Sequence, residues 1–191
     1  MRSDYGDDIR NALKVLRSGG TILYPTDTIW GLGCDATNAD AVKRIYTIKQ
    51  RVDLKSLIIL VNSVAMLTRY VDSPPEVALE MAELTVSPLT IVYDRGRSLA
   101  QGVTAEDGSV GVRICDDPFC DDLINALRKP IISTSANLSG AAAPSFFDDI
   151  SEEIKAAVDY VCLWKQDDRS RSQASSVIRV SGNGIVKILR G

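Results

Sequence analysis

Residues 21–61 of this 191-residue chain constrain its fold more than any other segment. An apolar run at 21–24 is broken by Pro25 and then by three small oxygen-bearing side chains, Thr26, Asp27 and Thr28. That is the composition of a turn presenting hydroxyls and a carboxylate at a strand end, where open α/β sheets bind ligands. Gly31 and Gly33 follow, permitting positive φ or a close approach of backbone to ligand. A Gly-x-Gly pair lacking a third glycine and the strand-to-helix position is not a dinucleotide-binding loop. Asn38 or Asp40 then starts a helix with Ala41, Ile45 and Ile48 inward and Lys43, Arg44 and Lys49 outward. Residues 57–61 are uniformly apolar, as a central strand covered on both faces would be.

Asp7 is expected to cap an earlier helix carrying Ile9, Ala12, Leu13 and Leu16 on one face, and Gly19 with Gly20 to stop it. Beyond residue 61 the pattern predicts helices at 63–70 and 75–84, strands at 88–93 and 110–114, and a helix at 118–127. A strand at 130–132, a short helix at 147–157 and strands at 160–164, 175–180 and 185–189 complete it. The polar, glycine-bearing stretch 94–108 is expected to be a mobile loop near the site. No internal repeat or linker interrupts the chain, so one α/β domain is expected over 7–191.

Composition removes whole classes of chemistry. With no histidine, Ser-His-Asp and Cys-His catalysis and histidine-based zinc sites are excluded. The four cysteines form no Cys-x-x-Cys pair and the N-terminus has no apolar signal region, which fits buried thiols in a reducing cytoplasm. The longest aliphatic runs, about five residues, are far short of the roughly twenty needed to cross a bilayer. A net charge of −3 gives no global field toward nucleic acid, leaving the cationic segment at 43–55 as the one local candidate.

Within that segment Lys49, Arg51 and Lys55 offer point charges and a planar fork for phosphate or carboxylate oxygens, set between a helix exit and a buried strand. Ser133, Ser135, Asn137 and Ser139 form a second polar strand end, able to bind phosphate and ribose oxygens or to serve as a capping turn. Thr90 is either a β-branched filler or a hydroxyl on the ligand face, and Ser175 with Ser176 sets hydroxyls where a strand starts. Arg113, in a strand bound for the core, calls for a carboxylate partner, either a substrate or a protein acid such as Asp27 or Asp35.

Taken together, Tyr24-Pro-Thr-Asp-Thr-Ile-Trp-Gly-Leu-Gly, Lys49-Gln-Arg51 with Lys55, Gly111-Val-Arg113, Ser133-Thr-Ser135-Ala-Asn137-Leu-Ser139-Gly140 and Ser175-Ser176-Val177 resemble the YrdC-type threonylcarbamoyl-adenylate synthases in order and spacing. The resemblance implies a single YrdC-like domain with a large twisted mixed β-sheet flanked by helices and a cationic concave face. It implies synthesis of threonylcarbamoyl-adenylate and pyrophosphate from L-threonine, bicarbonate and ATP with Mg²⁺, supplied to proteins that modify adenosine 37 of tRNA. Thr28, Arg113, Ser133 and Ser175 would surround threonine. Lys49, Arg51, Lys55, Thr90, Ser135, Asn137, Ser145 and Arg190 would face ATP, the first three as catalytic cations. Val52, Ser56, Leu60 and Trp30 depart from residues common in the family, and the extra C-terminal domain of longer members is not expected. The other readings are an RNA-binding module using residues 43–55, or an inactive paralogue of the same fold.

Overall fold

The computed structural model describes residues 5–50, 57–170 and 174–191. In chain order its elements are α1 (Gly6–Arg17), β1 (Ile22–Tyr24), β2 (Gly31–Gly33), α2 (Ala39–Ile48), β3 (Ile58–Val61), α3 (Val64–Tyr70), α4 (Glu76–Leu84), β4 (Leu89–Tyr93), β5 (Val110–Ile114), α5 (Pro118–Leu127), β6 (Ile131–Ser135), α6 (Glu152–Ala157), β7 (Tyr160–Val161), β8 (Ser176–Val180) and β9 (Val186–Arg190). The strands join in one mixed sheet, ordered β7-β1-β2-β6-β3-β5-β4-β8-β9. The apolar strand β3 sits near its middle, parallel to β5 and antiparallel to β6.

Local chemistry accounts for most element boundaries. Asn38 caps α2 by accepting the Ala41 N–H at 3.1 Å, and Ser63 caps α3 through Met66. Asp117 accepts from Phe119 and Cys120 ahead of α5, whose first residue is Pro118. Gly19 takes φ +79° past the end of α1, where the Gly20 N–H returns to the Val15 carbonyl.

Several expectations need correction. Asp7 does not cap α1, since Tyr5 occupies the N-cap and no side chain caps there. The neighbouring Asp8 is the structural acid: buried, it accepts from the Tyr160 hydroxyl at 2.6 Å and from the Leu163 and Trp164 N–H groups, tying β7 to α1. The helix expected at 147–157 divides into a single 3₁₀ turn at Phe147–Asp149 and the separate α6. The stretch 94–108 is anchored: Ala100 and Val103 are buried, Ala100 N–H donates to Ala36, and the Tyr46 hydroxyl donates to Gly102 at 2.7 Å. Gly31 and Gly33 have no positive φ. They are strand residues beneath the Tyr24 ring, and a Cβ on Gly33 would stand 2.5 Å from that ring and 2.7 Å from the Ile132 carbonyl.

Candidate functional site

Strand alternation builds the site. Register pairs run from Tyr24 to Gly31 to Ser135 and from Ser133 through Ile58 to Gly111, so these residues share one face of the sheet. Arg113, two residues beyond Gly111, and Thr90, two before its partner Val92, lie on that face as well. The opposite face presents Leu23, Leu32, Ile132, Ile59, Val112, Ile91 and Ile178, all buried. The polar face opens into a cavity of about 230 Å³ lined by Thr28, Trp30, Gly31, Ile58, Arg113, Ser133, Ser135, Ser175 and Arg190, among others. The site thus lies on the face of the sheet. The expected carboxyl edge does not exist, because neighbouring strands run both ways.

The turn after β1 is locked by its own side chains. Thr26 Oγ1 lies 3.0 Å from Thr28 Oγ1, accepts the Thr28 N–H and donates to the Ile29 carbonyl. Asp27 forms a buried ion pair with Arg113 of β5, and the Cys115 thiol donates to the same oxygen at 3.2 Å. Of the two acids considered for Arg113, Asp27 is therefore its partner, while Asp35 pairs with Lys129 at 2.7 Å. The Nε of Arg113 is buried without a hydrogen-bond partner among the described residues.

The second polar block is held from outside. Lys49 is 4% exposed, and its Nζ donates to the carbonyls of Ser135 at 2.6 Å and Asn137 at 2.7 Å. The expectation that Lys49 points outward fails for a physical reason: a buried ammonium must spend its donors, and these carbonyls accept them. Asn137 turns its amide N–H groups to Leu138 and Ala141, leaving Oδ1 buried and unpartnered among the described residues. The Tyr24 hydroxyl donates to the Ile132 carbonyl, and burial raises its pKa well above the ordinary value.

A third group closes the far wall. Thr90 is fully buried and shares a 2.7 Å hydrogen bond with Ser175, while Arg190 donates from Nε and Nη2 to the Ser175 carbonyl. Ser145 lines a separate recess of about 110 Å³ that shares Thr28 and Trp30 with the main cavity. Leu60 is buried opposite Arg113 in the register, and Trp30 packs against Phe147 at 4.8 Å. Arg51, Val52, Lys55 and Ser56 lie outside the described residues. Ile58, an apolar floor residue of the cavity, was missed because only its pairing with Ser133 brings it there.

Hydroxyls and guanidinium groups lining an open sheet face give this α/β protein a donor set suited to a small anion. The Sua5/YciO/YrdC family model, described as "Telomere recombination", matches residues 14–191. A threonylcarbamoyl-AMP synthase of Psychromonas ingrahamii is 35% identical over 78% of this chain and 80% of its own. P. abyssi Sua5, solved in complex with L-threonine, superposes with a TM-score of 0.79 at 28% identity over 90% of this chain. The chain spans only 50% of that longer protein. E. coli YciO superposes with a TM-score of 0.80 at 26% identity, covering 95% of this chain and 87% of its own. The chain belongs to the Sua5/YciO/YrdC family.

Proposed function

We propose that this protein is an L-threonylcarbamoyladenylate synthase, joining L-threonine, bicarbonate-derived CO₂ and the adenylyl group of ATP and releasing pyrophosphate. The observation that carries the reading is the convergence of Arg113, Thr28, Ser133 and Ser175 from four segments on one cavity. A carboxylate, an amine and a hydroxyl are the groups such a set can receive, and threonine has all three. The similarity to P. abyssi Sua5, solved with L-threonine, supports the same substrate here.

The threonine nitrogen attacks CO₂ to form a carbamate, and a carbamate oxygen then attacks the α-phosphorus of ATP as the bond to pyrophosphate breaks. Such a displacement needs positioning and neutralisation of phosphate charge, with no protein nucleophile or histidine. Arg51 and Lys55, with Arg190 and Ser135, supply the charge and hydrogen bonds to ATP. Lys49, Asn137 and Thr90 act by holding Ser135 and Ser175 in place, and Ser145 meets the nucleotide from its recess. The cavity's own groups are hydroxyls and guanidinium rather than carboxylates, a donor set suited to Mg²⁺ that arrives on the triphosphate.

The adenylate passes to proteins that modify adenosine 37 of tRNA, and weak RNA contact runs through the cationic segment 43–55. A cytoplasmic location belongs to the same proposal; no helix among the described residues is long and apolar enough to cross a membrane. The test is pyrophosphate release from ATP with threonine, bicarbonate and Mg²⁺ omitted in turn, each omission being expected to abolish it. Equal turnover without threonine defeats the reading. RNA binding with a steep salt dependence and no turnover identifies the RNA module instead.

A further inference from the structure

We propose that Asp27 is the positioning residue for the Arg113 guanidinium and sets affinity for threonine without touching it. This rests on the threonine-binding role of Arg113 proposed above. Arg113 lines the cavity shared with Thr28, Ser133 and Ser175, whereas Asp27 lines two others, the recess near Ser145 and an acidic cavity reaching Asp117 and Asp121. Arg113 thus faces the cavity assigned to threonine, and Asp27, its ion-pair partner, does not line that cavity.

The pair is shielded, the side chains being 5% and 9% exposed, so solvent screens the bond between them weakly. Asp27 engages Nη1 of Arg113 and takes the Cys115 thiol on the same oxygen. The buried Nε is left without a partner among the described residues. A planar guanidinium fixed at one nitrogen cannot rotate freely, and its remaining N–H groups are held in a set direction. With its Nε unpaired, the guanidinium keeps donor capacity unspent, and the residue lines the cavity in which a carboxylate would be received. Asp27 also stands between Thr26 and Thr28 in the locked turn, so one short segment sets both the Thr28 hydroxyl and the Arg113 fork.

The test measures pyrophosphate release, thermal melting and the ¹⁵N-edited Nε–H resonance of Arg113 in the wild-type chain and in Asp27→Ala and Asp27→Asn. Asp27→Ala is expected to raise the threonine KM by about 10- to 100-fold while the ATP KM stays within about twofold. Asp27→Asn keeps an acceptor oxygen and is expected to restore the threonine KM to within about fivefold of wild type. Should the alanine variant not fold, Asp27→Ser, too short to reach Nη1, carries the same expectation. An unchanged threonine KM beside a lowered melting temperature overturns the proposal, as does a threonine KM that falls in Asp27→Asn, which would make Asp27 a competitor of the substrate. If the wild-type chain shows no threonine-dependent turnover, the functional reading fails. The resonance then decides the rest: an Nε–H signal unmoved by Asp27→Ala rejects the positioning role, and a shifted, broadened signal supports it.

Discussion

The two polar blocks that flank the cavity, residues 26–28 after β1 and 133–137 at the end of β6, read alike in sequence and are supported in opposite ways. The first is held by side chains, with hydroxyl bonded to hydroxyl and the carboxylate to a buried guanidinium. The second is held through its backbone, by a lysine donating to two carbonyls. The first block thus bonds its side chains to one another and to Arg113 while Thr28 still lines the cavity, whereas in the second Asn137 turns to backbone carbonyls and Ser133 and Ser135 line the cavity. The two buried cations likewise differ in partner, Lys49 bonding carbonyls and Arg113 a carboxylate, and residue type alone does not say which.

The most severe test of this contrast is Lys49→Met. If Lys49 is scaffold, two buried carbonyls lose their donor, at a cost of about 2–4 kcal/mol. For a chain of this size that lowers the melting temperature by about 5–15 °C. A melting temperature within about 2 °C of wild type beside a raised ATP KM would instead make Lys49 a phosphate ligand. Arg113→Lys probes the first block. It keeps the charge and loses the fork, and should raise the threonine KM about 10- to 100-fold, equivalent to about 1.4–2.8 kcal/mol, with little change for ATP. A large fall in stability with an unchanged threonine KM would leave Arg113 as scaffold alone.

Ser135→Ala sharpens the comparison from the other side. Removing a cavity hydroxyl whose backbone is held elsewhere should raise the ATP KM by about fivefold, the worth of one hydrogen bond near 1 kcal/mol, and leave the melting curve unmoved. A lowered melting temperature would show that the second block, like the first, spends its side chains on stability.

The smallest effect concerns exposed ion pairs. Arg179 of β8 binds Asp94 and Asp107, each at 3.0 Å. The Ser109 hydrogen bonds, then Arg179, lower the Asp107 pKa to about 2. The Gly182 N–H, then Arg179, lower that of Asp94. Carboxyls depressed in the folded state add stability above their unfolded values near 4, and that stability is lost as pH falls toward 2. In water the contribution should be below about 1 kcal/mol, so Arg179→Met should only slightly shallow the melting-temperature fall between pH 5 and 2. A large effect would place these surface pairs on a par with the buried one.

The legible part of the fold was whatever local chemistry decides. Pro118 at the start of α5 with Asp117 before it, Asn38 at α2 and the uniformly apolar β3 all declare themselves within a few residues. Cavity residues with an unusual local composition, such as Thr28, Ser133 and Ser175, could be named the same way. Roles settled by distant partners could not. Lys49 is aimed by carbonyls 86 and 88 residues away, and Asp8 by amides 155 and 156 residues away. Thr90 left two readings open because its partner, Ser175, lies 85 residues on and meets it only when β4 and β8 pair. Gly31 and Gly33 carried a signal for close approach, but the approaching group is the Tyr24 ring, which only the β1–β2 register reveals.

The alternation along β6 has a consequence for how this chain tolerates change. Ser133 and Ser135 share the cavity face because they stand two residues apart, out of step with Ile132, which faces the other way into the core. Deleting one residue before Ser133 exchanges the two sets at a stroke, turning hydroxyls into the apolar layer and aliphatic side chains toward the ligand. Insertions and deletions in this strand are therefore a harsher class of lesion than any single replacement of a site residue. Among natural or laboratory variants, length changes should accumulate in the connections between strands and be purged from β6.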